Sequence, residues 1–77
     1  MPEFGPRMLM LFRAFYPERE VEEEFFASRV SEAATQFAQV IFGAGWKMIK
    51  VFESFDGKSA IVMAPNRRPF KVEYIVR

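Results

Sequence analysis

The chain has 77 residues, no Cys, no His, 51% hydrophobic residues and a formal net charge of +1. That inventory excludes disulfides, the usual ligands of zinc, haem and iron–sulfur clusters, thiol chemistry, and an imidazole base near neutral pH. Carboxylates are the remaining acid–base device, and the one Asp, Asp56, sits in an Asp-Gly turn, so a non-enzymatic protein without cofactor or metal is expected.

A chain this small buries only about 60% of the surface that its unfolded form exposes. Without disulfides or a metal, association with another chain is the remaining route to a comfortable margin of stability. The longest unbroken apolar runs, 8–12 and 60–64, fall far short of the roughly 18 residues of a membrane span. No basic start followed by a long apolar core marks a secretory signal, so a cytoplasmic location is expected. Residues 1–7, Met-Pro-Glu-Phe-Gly-Pro-Arg, read as a flexible arm or an expression scar, and residues 8–77 as one domain.

Residues 8–16, Met-Leu-Met-Leu-Phe-Arg-Ala-Phe-Tyr, are interrupted only by Arg13, which predicts a strand buried on both faces or nearly so. Pro17 stops it. The acids of Glu18-Arg19-Glu20-Val21-Glu22-Glu23-Glu24 suit a helix N-terminus, where free N–H groups and the dipole favour negative charge. Val21, Phe26, Val30, Ala33, Phe37, Ile41 and Ala44 then recur mostly at spacings of three and four, predicting one amphipathic helix over 18–42. Gly43 and Gly45 supply its stop signal. At ~1.5 Å per residue the rod would be about 37 Å long and overhang a sheet.

Two β-rich runs, 46–55 and 58–64, flank Asp56-Gly57, the strongest short-range hairpin signal, with a type I′ turn needing positive φ at both central residues. Residues 65–69 form a second loop. Residues 70–77 alternate, with Phe70, Val72, Tyr74 and Val76 on one face. The order β-α-β-β-β predicts an α+β fold with one long helix packed on a four-stranded, mostly antiparallel sheet. Gln39-Val40-Ile41-Phe42-Gly43, at the end of that helix, is similar to the Gln-x-Val-x-Gly loop of cystatin protease inhibitors, with Ile41 in the Val place. Together with the element order the chain thus resembles the cystatin-like grip, and the resemblance implies the architecture alone.

One helix is about 10–12 Å across and a four-stranded sheet about 15–19 Å wide, so one face of the sheet is left bare. Apolar residues nevertheless occupy both parities of the first two strands. Met8, Met10, Phe12 and Tyr16 alternate with Leu9, Leu11 and Phe15, and Trp46, Met48 and Phe52 alternate with Ile49, Val51 and Phe55. Either the sheet curls around the helix and the arm and loops cover the rest, or, as the favoured expectation, the cover is a second copy of the chain, in a homodimer, or another protein for which this one serves as inhibitor or adaptor. Small cofactor-free chains of viruses and mobile elements often play such parts, an analogy at the level of size and composition.

Charge is distributed unevenly. Residues 18–42 carry six Glu against Arg19 and Arg29, a net of −4, whereas residues 43–77 carry seven basic groups against Glu53, Asp56 and Glu73, a net of +4. Trp46 is the expected partner-binding anchor, accompanied by Met48, Lys50, Phe52, Arg67 and Arg68. The alternative function is a single-stranded RNA or DNA binder that stacks bases on Trp46 or Phe52 among Lys47, Lys50, Lys58, Arg67, Arg68 and Lys71. A pI near 8.1 is low for that role, and no RNP-like string is present. The acids at 22–24 admit a phosphate-mimicking patch, but a dipole-matched helix start explains them more simply. Gly43-Ala44-Gly45 follows a helix rather than preceding one and gives no phosphate loop. Glu53 and Glu73 are the last-ranked candidates, as carboxylates of an enzyme pocket.

Overall fold

The computed structural model describes residues 9–75; the predicted arm at 1–7, Met8 and Val76 lie outside the described residues. The elements run β1 (Met10–Tyr16), β2 (Val21–Ala27), α1 (Val30–Phe42), a 3₁₀ segment (Gly43–Met48), β3 (Lys50–Glu53), β4 (Ser59–Met63) and β5 (Phe70–Tyr74). The strands form one antiparallel sheet in the order β2-β1-β5-β4-β3, and α1 lies across one of its faces. The α+β class agrees with the sequence reading. The strand count does not: there are five strands rather than four, and two of them precede the helix.

The extra strand comes out of the N-terminal half of the predicted long helix. Pro17 to Glu20 form a four-residue loop, and β2 runs back along β1 in a register from Tyr16↔Val21 to Met10↔Ala27. Glu20 takes φ 53, a left-handed step that breaks helical continuity. Pairing satisfies the N–H and C=O groups along one side of β1, which a helix in this position would leave open. Val21, Phe25 and Ala27 pack toward the helix at the strand period of two, and Glu22 and Glu24 point to the other face. Glu23, exposed among the inward positions, hides that alternation in the sequence. On a sheet edge the acids also discourage pairing with further chains.

The helix is 13 residues long and begins after Ser28, whose N–H and Oγ–H both donate to Oε1 of Glu32 at 3.0 and 3.1 Å. It ends at Phe42, where the sequence placed its end. Gly43 adopts φ 57 there and returns its N–H to the carbonyl of Gln39. Residues 39–43 are therefore the last helical turn and its cap; with a hairpin ahead of the helix as well, the cystatin-like grip is not confirmed.

Trp46, Lys47 and Met48, predicted as strand, wind in the 3₁₀ segment instead, because the chain must travel from the helix end at Gly43 to the far sheet edge before it can pair. The hairpin around Asp56-Gly57 is present as β3–β4, but its loop is longer than a two-residue type I′ turn. Gly57 has φ 72, and Asp56 is absent from the positive-φ positions. The Asp56 carboxylate orders the loop instead, accepting from Ser54 Oγ–H at 2.6 Å and from the Lys58 N–H at 3.0 Å.

The core lies between α1 and the inward sheet face. Phe12, Ala14 and Tyr16 of β1, Val62 of β4, and Phe70 and Val72 of β5 meet Val30, Ala33, Ala34, Phe37 and Ile41 of α1. The two alanines bring the helix close to the sheet, and Phe37 sits edge-on to Phe70 and Phe25 at centroid distances of 5.4 and 5.9 Å. β1 was predicted to be buried on both faces. It is buried on one, since a single helical layer leaves Arg13 and Phe15 exposed. No helix among the described residues is long and apolar enough to cross a membrane.

Candidate functional site

Strand alternation sorts the side chains of the bare face. On it lie Leu11, Arg13 and Phe15 of β1, Glu22, Glu24 and Phe26 of β2, Lys71 and Glu73 of β5, Ser59, Ile61 and Met63 of β4, and Lys50 and Phe52 of β3. Five of these are large apolar side chains between 42 and 65% exposed: Phe15, Phe26, Phe52, Ile61 and Met63. Arg13 Nε reaches Glu22 at 3.1 Å and Lys71 Nζ reaches Glu73 at 3.0 Å, so the charges in the middle of the face are paired side by side. The face is not flat. A concavity of about 350 Å³ lies beside Arg13, Phe15, Lys71 and Glu73.

A second surface lies on the helix side, where the β1–β2 turn, the 3₁₀ segment and the β4–β5 loop converge. Glu18 holds these loops together. It accepts the Tyr16 hydroxyl at 2.7 Å and the Arg68 N–H at 2.8 Å, and Arg67 Nη1 approaches it at 3.5 Å. Those donors, the Arg68 N–H first and the Tyr16 hydroxyl next, hold the Glu18 carboxyl below its usual range. Burial, and then the hydrogen bond to Glu18, push the Tyr16 phenol up from 10.0. Beside this clamp an open cleft of about 330 Å³ is lined by Tyr16, Ile41, Phe42, Met48 and Pro65, with Arg19 and Arg67 at its sides.

The six residues singled out from the sequence divide between these surfaces. Lys50 and Phe52 stand on the bare sheet face. Met48, 65% exposed, and Arg67 line the cleft. Arg68 is tied to the same loop cluster through its backbone, and Trp46, half-buried on the 3₁₀ segment, is not among the cleft-lining residues. They do not form one site, because Trp46 and Met48 left the strand that was to align them with Phe52. The sequence reading missed Phe26, Ile61 and Met63 on the sheet face and Tyr16, Glu18 and Arg19 at the cleft. Ile61 and Met63 alternate with the buried Ala60 and Val62, a signal that was available.

Of the two carboxylates considered for chemistry, Glu53 caps the helix. It accepts the Ser31 N–H at 3.2 Å and meets Arg29 at 3.3 Å, and Ser31 first, then Arg29, lower its pKa. Glu73 is an exposed partner of Lys71. No group of three or more His, Cys, Asp or Glu side chains suited to a metal occurs among the described residues. No family model, curated protein or solved structure matches the chain.

Proposed function

We propose that the protein is a non-enzymatic interaction module that pairs with a second copy of itself across the bare face of its sheet. The observation that carries this reading is the set of Phe15, Phe26, Phe52, Ile61 and Met63 on a face that no layer covers among the described residues. The paired charges of β1, β2 and β5 divide this apolar surface, with Lys71 between Phe15 and Ile61 in the register, so that Phe52, Ile61 and Met63 cluster on one side and Phe15 and Phe26 lie on the other. Charge favours a second copy as the occupant. The face is acidic at the β2 edge, with Glu22 and Glu24, and basic at the β3 edge, with Lys50.

A twofold axis parallel to β5, the middle strand, lays β2 over the β3 of the other copy and β1 over its β4, so that Glu22 comes level with the other copy's Phe52 and two residues, about 7 Å, along from its Lys50. An axis across the strands would instead stack each strand on its own copy, with Glu22 and Glu24 against Glu22 and Glu24. Five strands at about 4.8 Å and about five residues at 3.3 Å give a footprint of roughly 400 Å², about half the 800 Å² per partner of a standard interface. The dimer is therefore of the weak class, forming at micromolar rather than nanomolar concentration.

The nucleic-acid alternative draws on Lys50 beside Phe52, but Phe26 has Glu24 on its own strand, and the cations beside Phe15, Arg13 and Lys71, are already paired with Glu22 and Glu73. Sedimentation velocity from low micromolar to near-millimolar protein tests the proposal. The expected result is a rise to twice the monomer mass that Phe15→Asp abolishes while leaving the circular dichroism spectrum intact. A monomer at every concentration overturns it. Salt-sensitive binding of single-stranded RNA in place of dimerisation would put the alternative first.

A further inference from the structure

We propose that the cleft between the β1–β2 turn and the β4–β5 loop binds a carboxylate carried on an apolar body of amino-acid size. This inference is independent of the sheet-face reading, since the cleft lies on the helix side of the sheet and shares no lining residue with the apolar set of that face.

The walls select the apolar body. Phe42, Met48 and Pro65 present ring and thioether surface over a floor of the buried Tyr16 and Ile41, and Met48 is exposed enough to adapt to a guest. The volume, about 330 Å³, lies at the bottom of the roughly 300–1,000 Å³ range of ligand pockets, so the guest is the size of one large side chain with its carboxylate.

The sides select the charge. Arg19 and Arg67 come from separate loops to the same cleft, and no carboxylate is among its lining residues. Each guanidinium makes one long protein contact, Arg19 Nη1 to the Ile41 carbonyl at 3.4 Å and Arg67 Nη1 to Glu18 at 3.5 Å. Both distances lie at the weak end of the hydrogen-bond range, and each guanidinium has five N–H donors. Glu18 also accepts the Tyr16 hydroxyl and the Arg68 N–H at much shorter distances, keeps its charge, and is ion-paired with Arg67. Arg19 meets only a neutral carbonyl, and Arg67 uses one N–H on its ion pair, so N–H donors of both remain for an incoming anion, and a planar carboxylate matches the guanidinium fork. Two sources offer this chemistry: a free small carboxylic acid, and the C-terminal residue of a peptide that ends in an apolar side chain.

The test is a titration of the ¹⁵N-labelled protein at low salt with N-acetyl-phenylalanine, with its uncharged amide, and with a tetrapeptide ending in Phe whose C-terminus is free or amidated. The acid is expected to shift the backbone resonances of Gly45, Met48, Ala64 and Arg67 saturably, at least about tenfold more tightly than the amide, as a charge-assisted pair would give. Arg67→Gln leaves the Glu18 clamp its two short hydrogen bonds and should bring the acid–amide ratio close to unity. If the free-ended tetrapeptide binds as well as N-acetyl-phenylalanine, the guest is a chain terminus; if only the small acid binds, it is a metabolite-sized acid. Equal binding of acid and amide, or no shift at the cleft, overturns the proposal.

Discussion

The two faces of the sheet are built from the same strands, and often from adjacent residues, yet they carry different burdens. Phe12, Ala14 and Tyr16 are sealed beneath α1, while Phe15, one residue from Tyr16, is 43% exposed. Ala60 and Val62 are buried, while Ile61 and Met63 between and beyond them are not. Residue type does not separate the faces; the single helical layer does. Apolar side chains on the inward face act through packing and set stability. Those on the bare face hold little of the monomer together and are free to act in recognition.

The most damaging way to probe this contrast is to hollow the inward face. Phe37 is fully buried and touches the rings of Phe25 and Phe70. Phe37→Ala should cost about 3–5 kcal/mol. A chain of this length has roughly 4–12 kcal/mol in total, so the variant should lose between about a quarter and all of its stability, read as a large fall in the urea midpoint by circular dichroism. A cooperative transition near the parent midpoint would mean that the helix is not what holds the inward face.

How far the contrast was legible beforehand depends on how local its causes are. The β3–β4 hairpin was readable because Asp56-Gly57 is a turn by itself, and β5 because Phe70, Val72 and Tyr74 alternate without interruption. β2 was not, because Glu22, Glu23 and Glu24 have poor strand propensity and become a strand only through pairing with β1. The bare face was foreseen from the parity argument, but its membership was not, since Trp46 and Met48 were assigned to a strand that starts only at Lys50. The Glu18 clamp was out of reach of any local pattern: its shortest backbone partner, the Arg68 N–H, is 50 residues away.

A smaller effect is expected where the inward side of β3 meets the helix start. Glu53→Ala removes the acceptor of the Ser31 N–H and should cost about 1 kcal/mol, the size of a lost helix cap. It should also flatten the acid limb of the stability profile. Glu18, Glu53 and Asp56 all have folded pKa values below their unfolded ones. The unfolded chain therefore takes up protons first, and the stability these groups contribute is present above the ordinary carboxylate range and lost as pH falls through it toward the folded values. Tyr16 works in the opposite sense. Its raised pKa contributes stability below 10.0 that is lost as pH rises through the folded value. With no His, Cys or other side chain ordinarily titrating between, thermal melts across pH should show a plateau from about 5.5 to 9. A slope inside that window would point to a coupling that this geometry does not contain.

The smallest effect on stability is expected on the bare face, and there it is the most informative. Phe52 is 55% exposed on the edge strand β3, so Phe52→Ala gives up little packing and should change the unfolding free energy of the dilute monomer, from urea titration, by no more than about 0.5 kcal/mol. The same substitution removes a large ring from the proposed twofold contact, and truncating an aromatic anchor of an interface costs more than about 1 kcal/mol. Self-association should weaken by about tenfold, the fold-change that roughly 1.4 kcal/mol represents. The two readouts divide the alternatives. A variant that loses stability in the monomer would mean that Phe52 packs with its own chain, and the bare face would be an extension of the core. Unchanged stability with weakened pairing is what a face left open for another copy requires.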